Sequence, residues 1–346
     1  MPITPEFREE GGSDHRRDAK LSDSDDSEST FWARCRRNKQ AMRRQVDRVR
    51  RYFNASPSER FQMRRNRWTE VRKWREIWRW HRLTRGNHRI ALVSNSEYLL
   101  VHVGDHIGRQ VFVHGEYDLD KFELTLGLLD RSVIGTLVDV GANIGSISVP
   151  AVARGLAIRA VAIEPEPRNF ALLTSNVAIN SLEDRIECHQ LAAGAEDDID
   201  LELLLSEKNY GDHRIAGPEK SDLGRASLRV KSRTLDSIAP SLDPCSDLIW
   251  VDVQGFEPAV LRGSVKLLKA KVPIVLEFWP RVLAENSSVD ELLKLLAPYN
   301  SFIDLGDNTL SLQPLQSLGT LWDEHLPRGT FTDLLILSDT SESVGI

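Results

Sequence analysis

From residue 137 onward the apolar and polar positions keep two rhythms in alternation. Short apolar runs at 137–140, 159–163, 185–190, 248–253 and 273–278 predict buried strands, with two more near 302–305 and 331–337. Between them, helix-period segments fall at 145–154, 167–180, 257–268 and 289–296. Strand and helix taking turns in this way predict an α/β fold built on a doubly wound, mostly parallel sheet. One stretch breaks the rhythm. Residues 194–247 form an insertion in which "IDLELLL" and "ASLRVKSRTLDSI" predict a β-hairpin, with a mobile charged loop around Glu207 to Gly224.

Upstream, residues 88–115, "HRIALVSNSEYLLVHVGDHIGRQVFVHG", read as short strands with turns at Ser94-Asn95-Ser96 and Gly104-Asp105. A helix with Phe122, Leu126 and Leu129 on one face follows, so residues 86–136 form a hairpin-and-helix lead-in to a main domain over 137–340. Residues 31–85 are helical in pattern, broken at "NASPSE", where Ser56 reads as an N-cap before Pro57. Phe61, Trp68, Val71 and Trp78 trace an imperfect apolar stripe along the second of these helices. Residues 1–30 are acidic and Ser-rich with too few apolar side chains to offset chain ordering, and predict a disordered tail.

Charge sharpens this division. Residues 34–85 hold 19 Lys+Arg and 4 Asp+Glu, a net of +15, while residues 86–346 hold 22 and 38, a net of -16. Five of the eight Trp residues, Trp32, Trp68, Trp74, Trp78 and Trp80, lie in the basic stretch of residues 31–85. Such a segment suits packing against the acidic body or a homo-oligomer contact, an anionic carbohydrate or membrane surface, or a nucleic acid. No run is long and apolar enough to cross a bilayer, since Val149 to Ile163 is interrupted by Arg154 and Arg159. The start, Met1-Pro2-Ile3, lacks a secretory pattern, and Cys35, Cys188 and Cys245 form no C-x-x-C, so a cytoplasmic setting is expected.

The first strand-to-helix turn, "VDVGANIGSIS" (138–148), carries the candidate chemistry. In open α/β sheets ligands sit at the carboxyl ends of strands near this turn. Asp139-x-Gly141-x-Asn143-x-Gly145 departs from the G-x-G-x-x-G of dinucleotide sites and matches the acidic-x-G-x-G-x-G turn of S-adenosylmethionine enzymes, with Asn at the middle glycine. An acidic Asp139 suits a cationic sulfonium amino acid better than a pyrophosphate. Glu164, 19 residues beyond Gly145 in "VAIEPEPRNF", is placed to accept from both ribose hydroxyls. The candidate cofactor residues are Asp139, Gly141, Ala142, Asn143, Gly145, Glu164, Pro165 and Asp252, and the expected cofactor is S-adenosyl-L-methionine.

Through "GRQVFVHGEYDLDKFELTLGLL", "VDVGANIGSIS", "AIEPEPRNFALLTSNVAIN", "SRTLDSI" and "WVDVQGFEPAVLRG", residues 108–283 resemble the FkbM family of methyltransferases. The resemblance implies a class I, Rossmann-like methyltransferase fold with a mostly parallel seven-stranded sheet, and O-methylation of sugar, polyketide or related hydroxyls. The family's D-x-E-G-x-E segment stands here as Asp252-Val253-Gln254-Gly255-Phe256-Glu257, with Gln removing one carboxylate. A hydroxyl acceptor needs a base near neutral pH. Asp252, Glu257 and Glu277 are the candidates because all three fall on one rim of the sheet. Their competing readings are a strand-end cap for Asp252, a helix-dipole partner for Glu257 and a link to Arg281 for Glu277. No metal is expected, since His189 stands alone without ligand spacing; a divalent ion on these carboxylates is the alternative means of acidifying the hydroxyl. Asn180 reads as a C-terminal cap, with Asn176 nearby. The strand bearing "WVDVQGFEP" has no Asn/Asp-Pro-Pro-aromatic motif, which argues against a base methyltransferase.

Overall fold

Strands that are apolar on both faces need helices on both sides, and the chain supplies them in order. The structure, a computed structural model, describes residues 90–102, 104–206, 209–217 and 224–338. The acidic tail, the basic segment and parts of the Glu207–Gly224 loop lie outside the described residues, as do the expectations attached to them.

A hairpin of β1 (Ile90–Ser94) and β2 (Tyr98–His102) leads into helices α1 (His106–His114) and α2 (Leu119–Leu128). Then come β3 (Ile134–Val140), α3 (Ser148–Ala153), β4 (Ala157–Ile163), α4 (Pro167–Ile179) and β5 (Ile186–His189). β6 (Ala192–Ala193) leads into the insertion, which contains β7 (Asp200–Leu204), β8 (Arg214–Ile215), β9 (Ser227–Arg233) and α5 (Leu235–Ile238). After it follow β10 (Leu248–Val251), α6 (Glu257–Arg262), α7 (Val265–Ala270), β11 (Ile274–Phe278), α8 (Pro280–Leu283) and α9 (Val289–Leu295). The chain closes with β12 (Ser301–Asp304), β13 (Leu312–Pro314), α10 (Leu318–Arg328) and β14 (Thr332–Leu337).

The main sheet runs β13-β12-β14-β11-β10-β3-β4-β5, parallel from β11 through β5, with β14 antiparallel to both β11 and β12. All seven expected strands are present, and the three-residue β13 adds an eighth at the edge. Strand alternation divides the core in two. Leu137, Trp250, Val275 and Leu335 face Val111, Phe122, Val149 and Leu173 of α1 to α4. Val138, Ile249, Leu276 and Ile336 face Val260, Leu268, Leu292 and Trp322 of the later helices. The insertion makes a second sheet, β6-β9-β7-β8, with its own small core of Ala192, Leu203, Ile215 and Val230.

Three elements differ from the sequence pattern, each for a local reason. Residues 106–114 are helix rather than strand: Asp105 caps it by accepting from Gly108 N at 3.2 Å, and Gly115 ends it at φ 88°. Helix α3 starts at Ser148 rather than 145 because Gly141, Asn143 and Gly145 all hold left-handed backbone, at φ 88°, 52° and 79°. The helix expected over 257–268 breaks into α6 and α7 at Gly263, whose backbone approaches Gly194 so closely that a Cβ would lie 2.0 Å from its carbonyl oxygen.

Asn176 and Asn180 fasten the hairpin to the domain. Asn180 Oδ1 accepts from Tyr98 N at 2.9 Å while its Nδ2 donates to Tyr98 O at 2.7 Å. Asn176 repeats the pattern with Leu100, at 2.6 and 3.1 Å, and also donates to Ile144 O at 2.8 Å. Four residues of helix rise about 6 Å and two residues of strand about 6.6 Å, so asparagines at i and i+4 can pair with alternate strand residues. The Asn176 amide is fully occupied here and is not available to a ligand. Asn176→Ala orphans a buried strand and should cost about 2–3 kcal/mol in denaturant unfolding, the more exposed Asn180→Ala less.

Candidate active site

The left-handed sequence Gly141, Asn143, Gly145 lifts the chain end of β3 into an open turn beside β4 and β10. A Cβ on Gly141 would lie 1.9 Å from Asp252 O, so glycine is required for β3 and β10 to end side by side. Gly141 N and Ala142 N both donate to Ile163 O at 3.0 Å, which ties the turn to the end of β4. Glu164 follows at once. Its Oε2 accepts from Asn143 N at 3.0 Å and its Oε1 from Glu166 N at 2.8 Å. Burial pushes its carboxyl up to about 8 against the pull of these backbone donors.

These groups open on one pocket. Gly141, Asn143, Glu164, Pro165 and Asp252 line it, as do the apolar Ile163, Ala192, Ala193, Leu203, Ile215 and Phe256. The remaining sequence candidates are placed elsewhere. Asp139 is buried and its Oδ2 accepts from Ser148 Oγ at 2.7 Å and Ser148 N at 3.3 Å, so it pins the start of α3 rather than lining the pocket. Burial, partly opposed by Ser148, raises its carboxyl to about 6. Ala142 is buried, and Gly145 packs against Leu173 and Val149, where a side chain would collide.

The pocket's far wall comes partly from the insertion. Tyr210 O accepts from Asn143 Nδ2 at 3.2 Å and Asn169 Nδ2 at 2.9 Å, while Tyr210 N donates to Asp105 Oδ1 at 2.6 Å. Arg168 stacks on the Tyr210 ring at 4.9 Å. Asn169, Tyr210, Gly211 and His213 thus join the lining, and only the Asn of "PRNF" was a readable polar signal.

At the β10 end, carboxylates gather on the face of α1 to α4. Val251 pairs with Leu276 and Glu277 with Asp333, so Asp252, Glu277 and Asp333 stand nearly in a row across three strands. Gln254, at φ 55°, donates from Nε2 to both Asp252 Oδ1 at 2.7 Å and Glu277 Oε2 at 2.9 Å. Glu277 therefore takes Gln254 as its partner, not Arg281. Lys121 bridges Asp118 at 3.0 Å and Asp333 at 2.5 Å beside them. Burial raises Asp252 to about 7, with Asp333 and Asp118 adding and Gln254 and Lys121 opposing. Glu277 is pushed well above the usual carboxylate range by burial and by the charges of Asp252, Glu257 and Asp333. Glu257 serves the backbone instead. Its Oε1 accepts from Val253 N and Gly255 N, both at 3.1 Å, so it braces the turn that carries Gln254. Among the described residues no group of three or more His, Cys, Asp or Glu is arranged to hold a metal ion, and no helix is long and apolar enough to cross a membrane.

A parallel sheet with a glycine turn, a strand-end glutamate and a second carboxylate at the next strand defines a class I methyltransferase domain. Residues 139–302 match the model of the Methyltransferase FkbM domain. Among solved structures, the chain is similar to Methyltransferase FkbM from Methylobacillus flagellatus, at 19% identity and a TM-score of 0.40, covering 65% of this chain and 49% of that one. It therefore spans about half of that protein's length. It is also similar to TYW2 of P. horikoshii in complex with MeSAdo, at 12% identity and a TM-score of 0.36, covering 73% and 74% of the two chains. No curated protein matches the chain.

Proposed function

We propose that this domain uses S-adenosyl-L-methionine to methylate a hydroxyl of a sugar, glycan or other natural product. The observation that carries the reading is the continuity of one pocket from Glu164 to Asp252. Each Glu164 oxygen accepts one backbone N–H and keeps a lone pair for a ribose hydroxyl. The slot of Pro165, Ala192, Leu203 and Ile215 suits a flat base, and the side-chain-free edge at Gly141 lets a ligand approach the backbone. These residues fit the cofactor. When bound, it supplies an electrophilic methyl group on a sulfonium.

The chain's own residues then align the acceptor and take its proton. Asp252 Oδ1 is committed to Gln254, which leaves Oδ2 to receive the hydroxyl proton. Two carboxyls sharing one amide donor do not both ionise easily. On this reading the shared proton sits on Glu277, which the charges of Asp252, Glu257 and Asp333 push upward, and Asp252 carries the charge. A value of about 7 suits a general base working near neutrality. Asp118, Lys121 and Asp333 lie near enough to act on the charge of Asp252, and their acceptors and donor suit a hydroxyl-rich partner.

The test is calorimetric titration of the full chain with adenosylmethionine and, separately, with NAD. Saturable binding of the first alone is expected; a folded protein that binds NAD and not adenosylmethionine overturns the cofactor assignment.

A further inference from the structure

His213 stands in the pocket wall with a fixed proton and nothing to give it to. It lies just before the short strand Arg214–Ile215 of the insertion, with its ring stacked on Tyr210 at a centroid distance of 6.1 Å and an interplanar angle of 23°. Tyr210 is in turn held through its carbonyl by Asn143 and Asn169, so the ring's position is tied to the glycine turn. His213 Nδ1 accepts from Ser206 N at 2.9 Å. An imidazole nitrogen facing an N–H donor carries no proton, which leaves the ring neutral with its hydrogen on Nε2. Burial works in the same direction, lowering the ring's tendency to protonate. Nε2 is itself buried and finds no hydrogen-bond partner among the described residues. A buried donor left unpaired is costly, and one lining a ligand pocket is a donor waiting for a ligand acceptor.

The neighbours say which acceptor. Leu203, Ile215, Ala192, Pro165 and Phe256 line the pocket with His213, and most of them belong to the insertion's apolar cluster. Apolar walls with one in-plane donor suit a flat heteroaromatic ring that has lone pairs on its edge. They do not suit a carboxylate, which would bring an unpaired charge into an apolar slot. Resting on the cofactor reading above, we infer that His213 Nε2–H donates to a ring nitrogen of the adenine base, making the insertion a reader of base identity. A neutral donor of fixed tautomer selects a lone-pair nitrogen and rejects a C–H or N–H at the same place.

Two substitutions separate the ring's two nitrogens. His213→Asn keeps an acceptor where Nδ1 meets Ser206 N and removes the Nε2 donor; His213→Gln keeps a donor at the reach of Nε2. Calorimetry on the full chain would compare S-adenosylhomocysteine with its 1-deaza, 3-deaza and 7-deaza adenine analogues for the parent protein and both variants. One analogue should bind the parent about three- to tenfold more weakly than S-adenosylhomocysteine, the span of one neutral hydrogen bond. That deficit should vanish in His213→Asn, which binds S-adenosylhomocysteine as weakly as the parent binds the analogue, and persist in His213→Gln. Equal affinities of the parent and His213→Asn for S-adenosylhomocysteine, or deficits for the analogues that are the same in every protein, overturn the inference alone. Absence of S-adenosylhomocysteine binding to the parent overturns the cofactor reading and this inference with it.

Discussion

Asp252→Asn is expected to lower the single-turnover rate by about two to four orders of magnitude, the usual contribution of a general base, while calorimetric affinity for adenosylmethionine is retained. The substitution is close to isosteric, and an Asn Oδ1 still accepts from Gln254 Nε2, so the turn after β10 keeps its geometry. What is lost is the oxygen that takes the proton. The pH dependence provides an independent check. Asp252 must be ionised to act, and its carboxyl stands at about 7. The parent rate should therefore fall about tenfold per pH unit below that point and level off above it. The residual rate of Asp252→Asn should lack this limb. A variant rate within a factor of about three of the parent, well short of a general base's share, would remove Asp252 from the chemistry.

Glu164→Ala is expected to weaken adenosylmethionine binding by about a hundredfold or more, since two hydrogen bonds to a charged group are lost together. The side chain also accepts from Asn143 N and Glu166 N, so its removal frees two buried donors and loosens the turn as well as the ribose contact. Glu164→Gln separates these effects. It keeps one acceptor oxygen but sets an NH₂ against one of the backbone donors, so an intermediate loss is expected. Binding should also respond to pH in a stated direction. The carboxyl accepts from ribose hydroxyls more strongly when ionised, and burial pushes it up to about 8. Affinity should fall as pH drops below that value and stay level above it. Unchanged binding by Glu164→Ala would place the nucleoside elsewhere.

The sheet was legible because its strands are apolar on both faces, a signal that survives without tertiary context. Leu248 to Val251 and Ile274 to Phe278 are buried at every position, and such runs have few other uses. Helix α1 was not legible by period, because Val111 and Val113 alternate like a strand; the Asp105 cap and the closing Gly115 were the available signals. The site divides in the same way. Gly141, Asn143 and Glu164 sit at the ends of strands whose neighbours the βαβ rhythm fixes, so their convergence follows from topology. Tyr210 and His213 reach the pocket only because the insertion folds back onto Asp105, Asn143 and Asn169, a return that no local pattern encodes. Asp139 and Glu257 show the opposite limit. Both stand at motif positions, yet each spends its carboxylate on backbone or hydroxyl donors close by in the chain, which spacing alone does not reveal.

The double tie on the Tyr210 carbonyl bears on the end of the catalytic cycle. Asn143 belongs to the glycine turn and Asn169 to the helix after the next strand, so two sides of the pocket share the same tie to Tyr210. Any movement of Tyr210 away from the pocket has to part both bonds. On the proposed reading, with the spent nucleoside leaving past Tyr210, the first turnover should be faster than those that follow, which a burst in pre-steady-state kinetics would show.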